Sequence, residues 1–160
     1  MIRVGILTAS TLGARGERAD TSGEAIRELV AQIGGTVAAY QIVTDDQETI
    51  GAALRTWCDD EAVDLILTTG GTGLSPTDVT PEATRAVIER EVPGFAEAMR
   101  QAGLQHTPRA MLSRAVSGVR GRTLIVNLPG SPKGVRESLG AILEVLPHAI
   151  EILQRRPTDH

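Results

Sequence analysis

Short apolar segments alternate with amphipathic segments through the first half of the chain. Residues 2–7, 37–43 and 65–68 are rich in aliphatic and β-branched side chains and predict three strands. Residues 26–33 and 50–57 carry apolar side chains at helical spacing and predict a helix after each of the first two strands. Because strands that alternate with helices form right-handed β-α-β units, this order predicts a mostly parallel sheet covered by helices.

The second half of the chain predicts further helices and two more strands. The strands are expected at residues 113–119 and 122–127, with a hairpin turn or short loop at residues 120–121. The helices are expected at residues 81–91, at residues 95–102, from Ser131 onwards and at residues 145–153. We therefore expect a three-layer α/β/α sandwich that forms one domain over residues 1–160, with residues 156–160 as a polar tail.

A glycine-rich loop follows the third predicted strand. The sequence TTGGTGLSPTDVTPEAT at residues 68–84 breaks the strand at three glycines and then begins a helix, where Thr80 suits the N-cap and Pro81 the first helical position. Glycines allow positive φ and a close approach of a ligand, and N–H groups near a helix N-terminus favour phosphate oxygens. The loop therefore predicts an anion site. It lacks the lysine of GxxxxGK[ST], so it is not a Walker P-loop.

Polar loops leave the carboxyl ends of the predicted parallel strands. In open α/β sheets, ligands bind beyond these ends. The loops lie at residues 8–23, 44–46, 69–78 and 127–133. Every unusual polar or glycine-rich stretch of the chain falls in one of the four, so we expect the functional site at this edge of the sheet.

Three aspartates in these loops are candidates for two different roles. Asp45, Asp46 and Asp78 each precede a predicted helix, where a carboxylate commonly caps the N-terminus. Asp45 and Asp78 should also reach the same edge of the sheet from neighbouring loops, where paired carboxylates can hold Mg²⁺ against phosphates. From the residues alone, both roles stay open.

Composition and charge narrow the function classes. A formal net charge of -4 and a content of one Trp, one Tyr and one Phe argue against a protein that coats nucleic acid. The single cysteine, Cys58, excludes an internal disulfide and fits a reducing compartment. The apolar run at the N-terminus is too short for a signal peptide or a membrane span, so we expect a cytoplasmic protein that does not bind membranes. The three histidines lack metal-ligand spacing, and no zinc site is expected.

Several motifs occur together in an order that is typical of one protein family. TTGGTG and DVTPEAT are followed by PGFAEAMR at residues 93–100, LSR at residues 112–114 and NLPGSPKG at residues 127–134. Motifs in register over nearly the whole chain are far more specific than one glycine pattern. In these motifs the chain resembles the MogA/MoaB/gephyrin-G family of molybdopterin-binding and molybdopterin-adenylylating proteins.

The resemblance implies a molybdopterin-binding fold, a homotrimer and a role in molybdenum cofactor biosynthesis. It implies an enzyme that uses Mg²⁺ and transfers AMP from ATP to the terminal phosphate of molybdopterin, with release of pyrophosphate. One alternative is a protein of the same fold that binds molybdopterin without adenylylating it, and another is a scaffold in a larger assembly. Other proteins of molybdenum cofactor biosynthesis are candidate partners.

The resemblance also assigns roles to residues. The family's two important acidic positions fall on Asp45 and Asp78, which would hold Mg²⁺ and carry catalysis. The residues expected to bind phosphate, pterin or nucleotide are Gly70, Gly71, Thr72, Gly73, Ser113, Arg114, Ser131, Lys133, Asp20 and Ser22. From the residues alone, Arg114 and Lys133 are also compatible with solvated positions on the surface. Asp20 and Ser22 lie near the start of the first predicted helix, and from the residues alone they are also compatible with a capping role.

Three positions depart from the family pattern. Thr77 stands where an arginine is common before the key aspartate, and Thr44 stands where a proline is common. Thr11 stands where an aspartate often follows the serine of the first loop. These departures bear on substrate affinity more than on the fold.

Overall fold

The computed structural model describes residues 1–155, so the tail expected at residues 156–160 lies outside the described residues. Within the described part, six strands form one sheet: β1 (Ile2–Ala9), β2 (Gly35–Val43), β3 (Leu65–Thr69), β4 (Arg90–Glu91), β5 (Ser117–Arg120) and β6 (Thr123–Leu128). Their order across the sheet is β2-β1-β3-β6-β5-β4. The first four strands of this order are parallel, β5 is antiparallel to β6, and β4 is antiparallel to β5. The mostly parallel sheet expected from the sequence is confirmed.

Helices cover both faces of this sheet. They are α1 (Thr11–Ala14), α2 (Thr21–Ala31), α3 (Gln47–Asp59), α4 (Thr80–Val87), α5 (Pro93–Leu104), α6 (Pro132–Ile142) and α7 (Leu146–Gln154), with 3₁₀ turns at Pro108–Leu112 and Leu143–Val145. Among residues 1–155, no helix has the length and apolar character needed to cross a membrane.

Two buried clusters separate the three layers. One packs α2, α5, α6 and α7 against the sheet, and the other packs α3 and α4 against the opposite face. Because side chains of a strand alternate between faces, Leu65 and Leu67 of β3 belong to the first cluster and Ile66 to the second. All three are fully buried. The three-layer α/β/α sandwich expected from the sequence is confirmed.

Two element boundaries differ from the expectation. The strand expected at residues 113–119 begins only at Ser117, because the N–H groups before it have other acceptors: Arg114 N–H donates to the Thr72 carbonyl at 2.8 Å. The helix expected at residues 81–91 ends at Val87. Beyond it, the Glu89 N–H donates to the Val119 carbonyl at 2.8 Å, which directs the chain into β4 beside β5.

The expected N-cap of α4 is wrong. Thr80 is already the first helical residue, and Val79 occupies the N-cap position without a side-chain hydrogen bond. The Thr80 hydroxyl instead donates to the Gly70 carbonyl at 2.9 Å. This bond ties the start of α4 to the glycine loop.

The fully buried amide of Asn127 joins three elements below the glycine loop. Its Oδ1 accepts the Val116 N–H at 3.1 Å, and its Nδ2 donates to the hydroxyls of Thr68 (2.9 Å) and Thr84 (3.0 Å). β6 is thereby fastened to β3, to α4 and to the segment that precedes β5. Buried polar groups are costly unless they are paired, so this network fixes the relative position of the strand ends.

Replacement of Asn127 by alanine should lower the free energy of unfolding by about 3 kcal/mol, because the Val116 N–H would be left buried without an acceptor and a cavity would form. Urea denaturation of Asn127→Ala measures this loss. As a control, Gln41→Ala on the exposed edge strand should stay within about 0.5 kcal/mol of the parent protein. Equal stabilities of the two variants would contradict a structural role for the Asn127 network.

Candidate active site

The carboxyl ends of β1, β2, β3 and β6 open onto a polar cavity of about 250 Å³. All four loops that leave these strands contribute to its wall, as expected for a parallel sheet. Six residues with an expected binding or catalytic role line this polar cavity. They are Asp20, Ser22, Asp45, Gly70, Gly71 and Asp78.

A second cavity of about 280 Å³ is mostly apolar and also borders the glycine loop. Thr72 and Gly73 line this apolar cavity, whereas Gly70 and Gly71 line the polar one. Ser113, which precedes β5, is the third expected site residue in its wall. The glycine loop, residues 70–73, is therefore a partition between two cavities of different character.

Three arginines line these cavities without having been expected there. Arg18 lines the polar cavity, and Arg100 and Arg109 line the apolar one. The unusual length of the loop at residues 8–23 is the one sequence signal that could have drawn attention to Arg18. Arg100 is the last residue of the PGFAEAMR motif, which therefore offered a signal for it, whereas Arg109 lies in a 3₁₀ turn outside every motif.

The backbone of the glycine loop has an unusual conformation and leaves N–H groups without acceptors. Gly70 and Gly71 have φ angles of 93° and 69°, which side chains other than glycine rarely adopt. A Cβ atom on Gly70 would also lie 2.5 Å from the Ala9 carbonyl oxygen. Within residues 1–155, the N–H groups of Gly71, Thr72 and Gly73 donate to no protein acceptor. Consecutive backbone N–H groups without acceptors can form an anion-binding concavity.

Asp45 and Asp78 flank this loop, and each uses one carboxylate oxygen for positioning. Asp45 Oδ2 accepts both the N–H and the hydroxyl of Thr11 at 3.1 Å, and the Asp45 N–H donates back to that hydroxyl at 3.1 Å. Asp78 Oδ2 accepts the Ser75 N–H at 3.2 Å. Among the described residues, the Oδ1 atoms of both aspartates have no hydrogen-bond donor. Each carboxylate therefore has one oxygen without a hydrogen bond among the described residues.

The sequence left open whether Asp45 or Asp46 caps α3, and in the structure Asp46 is the cap. Its Oδ2 accepts the Thr49 N–H at 2.9 Å at the start of α3. Hydrogen bonds from the Thr49 hydroxyl and N–H lower the pKa of this exposed carboxyl. Asp45 is thus the one of the pair that faces the polar cavity.

Asp20 lines the same cavity, but its carboxylate is fully occupied. It accepts hydrogen bonds from the hydroxyls of Tyr40 (2.5 Å), Thr8 (2.7 Å) and Ser22 (3.2 Å) and from the Gly23 N–H (3.0 Å). Burial opposes ionisation, but these donors outweigh it and lower the pKa of the Asp20 carboxyl. Asp20 therefore caps α2 and stays ionised at neutral pH.

The last three expected binding residues lie outside both cavity walls. Ser131 caps α6, since its hydroxyl oxygen accepts the Gly134 N–H at 3.0 Å. Lys133 is exposed in the first turn of the same helix. Arg114 contacts the glycine loop from behind, where its Nε donates to the Gly73 carbonyl at 2.7 Å.

Comparisons with known proteins agree on one family. Residues 5–148 match a family model described as Probable molybdopterin binding domain. A molybdopterin adenylyltransferase from Helicobacter pylori strain J99 is 40% identical over 154 residues, which are 95% of this chain and 88% of that protein. The molybdopterin adenylyltransferase of Escherichia coli K12 is 39% identical, with 88% of this chain and 73% of that protein covered.

The fold comparison gives a similar result. The crystal structure of the molybdopterin biosynthesis enzyme MoaB from Thermus thermophilus superposes with a TM-score of 0.92. It is 61% identical, and the match covers 98% of this chain and 99% of that chain.

The Thr11 hydroxyl should prove necessary for holding the Asp45 loop. Thr11→Val keeps the side-chain shape but removes the hydroxyl, so we expect a loss of about 1 kcal/mol in the free energy of unfolding. Thr11→Ser restores the hydroxyl and should recover most of this loss. Urea denaturation provides the measurement, and equal stability of the valine and serine variants would rule out the hydroxyl as the anchor.

The Asp20 carboxylate should make the free energy of unfolding depend on pH in the acidic range. Because its pKa is lowered from the ordinary value of 3.8, its contribution is fully present above that value and is lost as the pH falls through the folded-state pKa. Asn is also a good N-cap, so Asp20→Asn mainly removes the charge. Thermal unfolding should show the variant less stable near neutral pH and the two proteins converging in acid. A difference that stays constant with pH would contradict this role.

Proposed function

The chain belongs to the Probable molybdopterin binding domain family, and on this basis we propose that it is a molybdopterin adenylyltransferase of molybdenum cofactor biosynthesis. The terminal phosphate of molybdopterin would attack the α-phosphate of ATP, so that AMP is transferred and pyrophosphate leaves. One observation carries this proposal. The unpaired N–H groups of the glycine loop are flanked by two carboxylates that each keep one free oxygen among the described residues.

Asp45 and Asp78 are the residues that would hold Mg²⁺. Carboxylates alone would repel a polyphosphate from the N–H groups of the loop, so their presence beside an anion site favours a divalent cation between them and the phosphates. Two carboxylates suffice, because Mg²⁺ usually completes its shell with water and substrate phosphates. When bound there, Mg²⁺ neutralises phosphate charge and aligns the triphosphate for in-line attack.

The two cavities suit two substrates of different character. The polar cavity, with Arg18 in its wall, would take the triphosphate of ATP. The apolar cavity would take the flat pterin, with Ser113 and the arginines in its wall as polar contacts. The glycine loop between them would then receive the phosphate that is transferred, and its N–H groups would stabilise the charge of the transition state.

Ser131 and Lys133 are proposed as further phosphate contacts. They lie at the start of α6, between Gly130 in the wall of the polar cavity and Gly134 in the wall of the apolar one. A helix N-terminus and a lysine both favour phosphate oxygens.

We further propose a homotrimer in the cytoplasm, as the family resemblance implies. Leu74, Met111 and Leu112 are 64%, 68% and 51% exposed in the single chain, so large apolar side chains are available for subunit contacts. Other proteins of molybdenum cofactor biosynthesis are candidate partners for transfer of the product.

The deciding experiment combines purified protein with Mg²⁺, ATP and molybdopterin and follows pyrophosphate release together with the mass of the pterin product. Release that needs all three components, with a product heavier by one AMP, supports the transferase. Tight molybdopterin binding without pyrophosphate release would instead support the binding-only alternative. If neither molybdopterin binding nor pyrophosphate release is detected, the proposed function is excluded.

Asp78→Asn should reduce kcat by about 100-fold, because the free carboxylate oxygen beside the glycine loop would be lost. The melting temperature should change little, since Asn can still accept the Ser75 N–H. Asp46→Asn is the matched control: it has the same chemical change in a neighbouring loop, but it caps α3 and should retain activity. Equal turnover of the Asp78 variant and the parent protein would exclude a catalytic role for that carboxylate.

A further inference from the structure

The guanidinium of Arg114 lies behind the glycine loop in a dense set of hydrogen bonds. Its Nη1 donates to both carboxylate oxygens of Glu82 at 3.0 and 2.8 Å. Its Nε donates to the Gly73 carbonyl at 2.7 Å, and its Nη2 donates to the Asp78 carbonyl at 2.8 Å. The Arg114 backbone N–H adds a bond to the Thr72 carbonyl at 2.8 Å.

From this geometry we propose that Arg114 and Glu82 are a positioning pair, which holds the glycine loop and Asp78 in their working arrangement. Its predicted effects on kcat and KM rest on the proposed adenylyltransferase function. It replaces the phosphate contact that the family resemblance suggested for Arg114, and it gives Glu82 a role that sequence reasoning did not.

The hydrogen-bond inventory of Arg114 supports positioning over ligand binding. An arginine side chain has five N–H donors. The contacts to Glu82, Gly73 and Asp78 engage all three nitrogens of the guanidinium, and the two Glu82 oxygens share an N–H of Nη1, so three of the five donors are already used within the protein. The Glu82 carboxylate also neutralises the guanidinium charge, and hydrogen bonding to it is the main reason that the pKa of Arg114 is raised.

The Arg114–Glu82 pair holds the glycine loop and Asp78, on which the proposed adenylyl transfer depends. The Thr72 carbonyl accepts the Arg114 N–H, and because carbonyl and N–H of a trans peptide point in opposite directions, the Gly73 N–H is turned away from Arg114. Thr80 holds the Gly70 and Gly71 carbonyls, which orients the N–H groups of Gly71 and Thr72 in the same way. The Asp78 carbonyl is held by the same guanidinium, which fixes the backbone that carries the catalytic carboxylate. A loop with three glycines has high conformational freedom when unrestrained, and fixing it in advance lowers the cost of reaching the transition state.

The two roles for Arg114 predict opposite effects of Glu82→Gln. If Arg114 is a phosphate ligand, removal of the competing carboxylate frees the guanidinium, and the KM for ATP should fall. If the pair positions the loop, Glu82→Gln should act like Arg114→Ala, with kcat lowered about tenfold and the KM for ATP changed less than twofold. The double variant should be no worse than either single variant, because both changes break one unit.

Amide hydrogen exchange tests the pair without substrate and without assuming any reaction. In Glu82→Gln and in Arg114→Ala, the hydrogen-bonded amides of Ser75, Asp78 and Thr80 should exchange about fivefold faster, because their acceptors lie in the loop that the pair holds. The rest of the chain should exchange as in the parent protein. Glu28→Gln is the matched control. It breaks the Arg136–Glu28 pair, which has the same N–O separation of 2.8 Å, is more exposed, and joins α2 to α6 away from both cavities. It should leave loop exchange and kcat unchanged.

The outcomes separate this proposal from the proposed function. Faster loop exchange, with non-additive losses of kcat, supports the positioning pair. Unchanged loop exchange in both variants overturns it, and so does a lower KM for ATP in Glu82→Gln with a higher one in Arg114→Ala. If the parent protein shows no pyrophosphate release at all, the adenylyltransferase fails, but loop exchange still decides whether the pair holds the loop.

Discussion

The parallel pairing of four strand ends is the constraint on which the site depends. Ala9 pairs with Val43, Thr8 with Thr69, and Thr69 with Leu128. Because these pairs lie at the last or next-to-last residues of their strands, the four following loops begin at nearly one level. Both faces of the central strands are buried, and a shift of one residue would turn each set of apolar side chains to the wrong face. Burial in the core thus fixes the register, and the register brings the loops together.

Hydrogen-bond occupancy separates the three aspartates in the polar cavity into two kinds. Four donors saturate Asp20, so its charge stabilises a helix start and a neighbouring strand. Asp45 and Asp78 are each held through one oxygen, and the other accepts no hydrogen bond among the described residues. The Thr11 hydroxyl is part of this arrangement, so the departure from the aspartate that is common at this position leaves Asp45 anchored by a neutral group. Position in a polar loop does not distinguish these roles, whereas the count of donors does.

The sequence predicts the layers of this fold well because hydrophobic periodicity reports burial. It places all three strands of the first half and the loops that form the site. It fails at residues 113–116, where Ala115 and Val116 are buried like strand residues although their segment is held by the Thr72 carbonyl and by Asn127. The pairing of Arg114 with Glu82 joins positions 32 residues apart, and no local pattern encodes such a contact.

The floor of the polar cavity is made mainly of backbone atoms, and this limits which amino-acid substitutions the protein can tolerate there. Gly70 lies against the Ala9 carbonyl, a Cβ atom on Gly130 would lie 3.3 Å from the Gly70 Cα, and the Thr69 hydroxyl donates to the Pro129 carbonyl at 2.6 Å. Substitution replaces side chains and leaves backbone atoms in place. A library that randomises the floor would therefore yield mostly misfolded proteins. New substrate preferences would have to arise from residues 10–19 in the wall of the polar cavity and from the 3₁₀ turn in the wall of the apolar one.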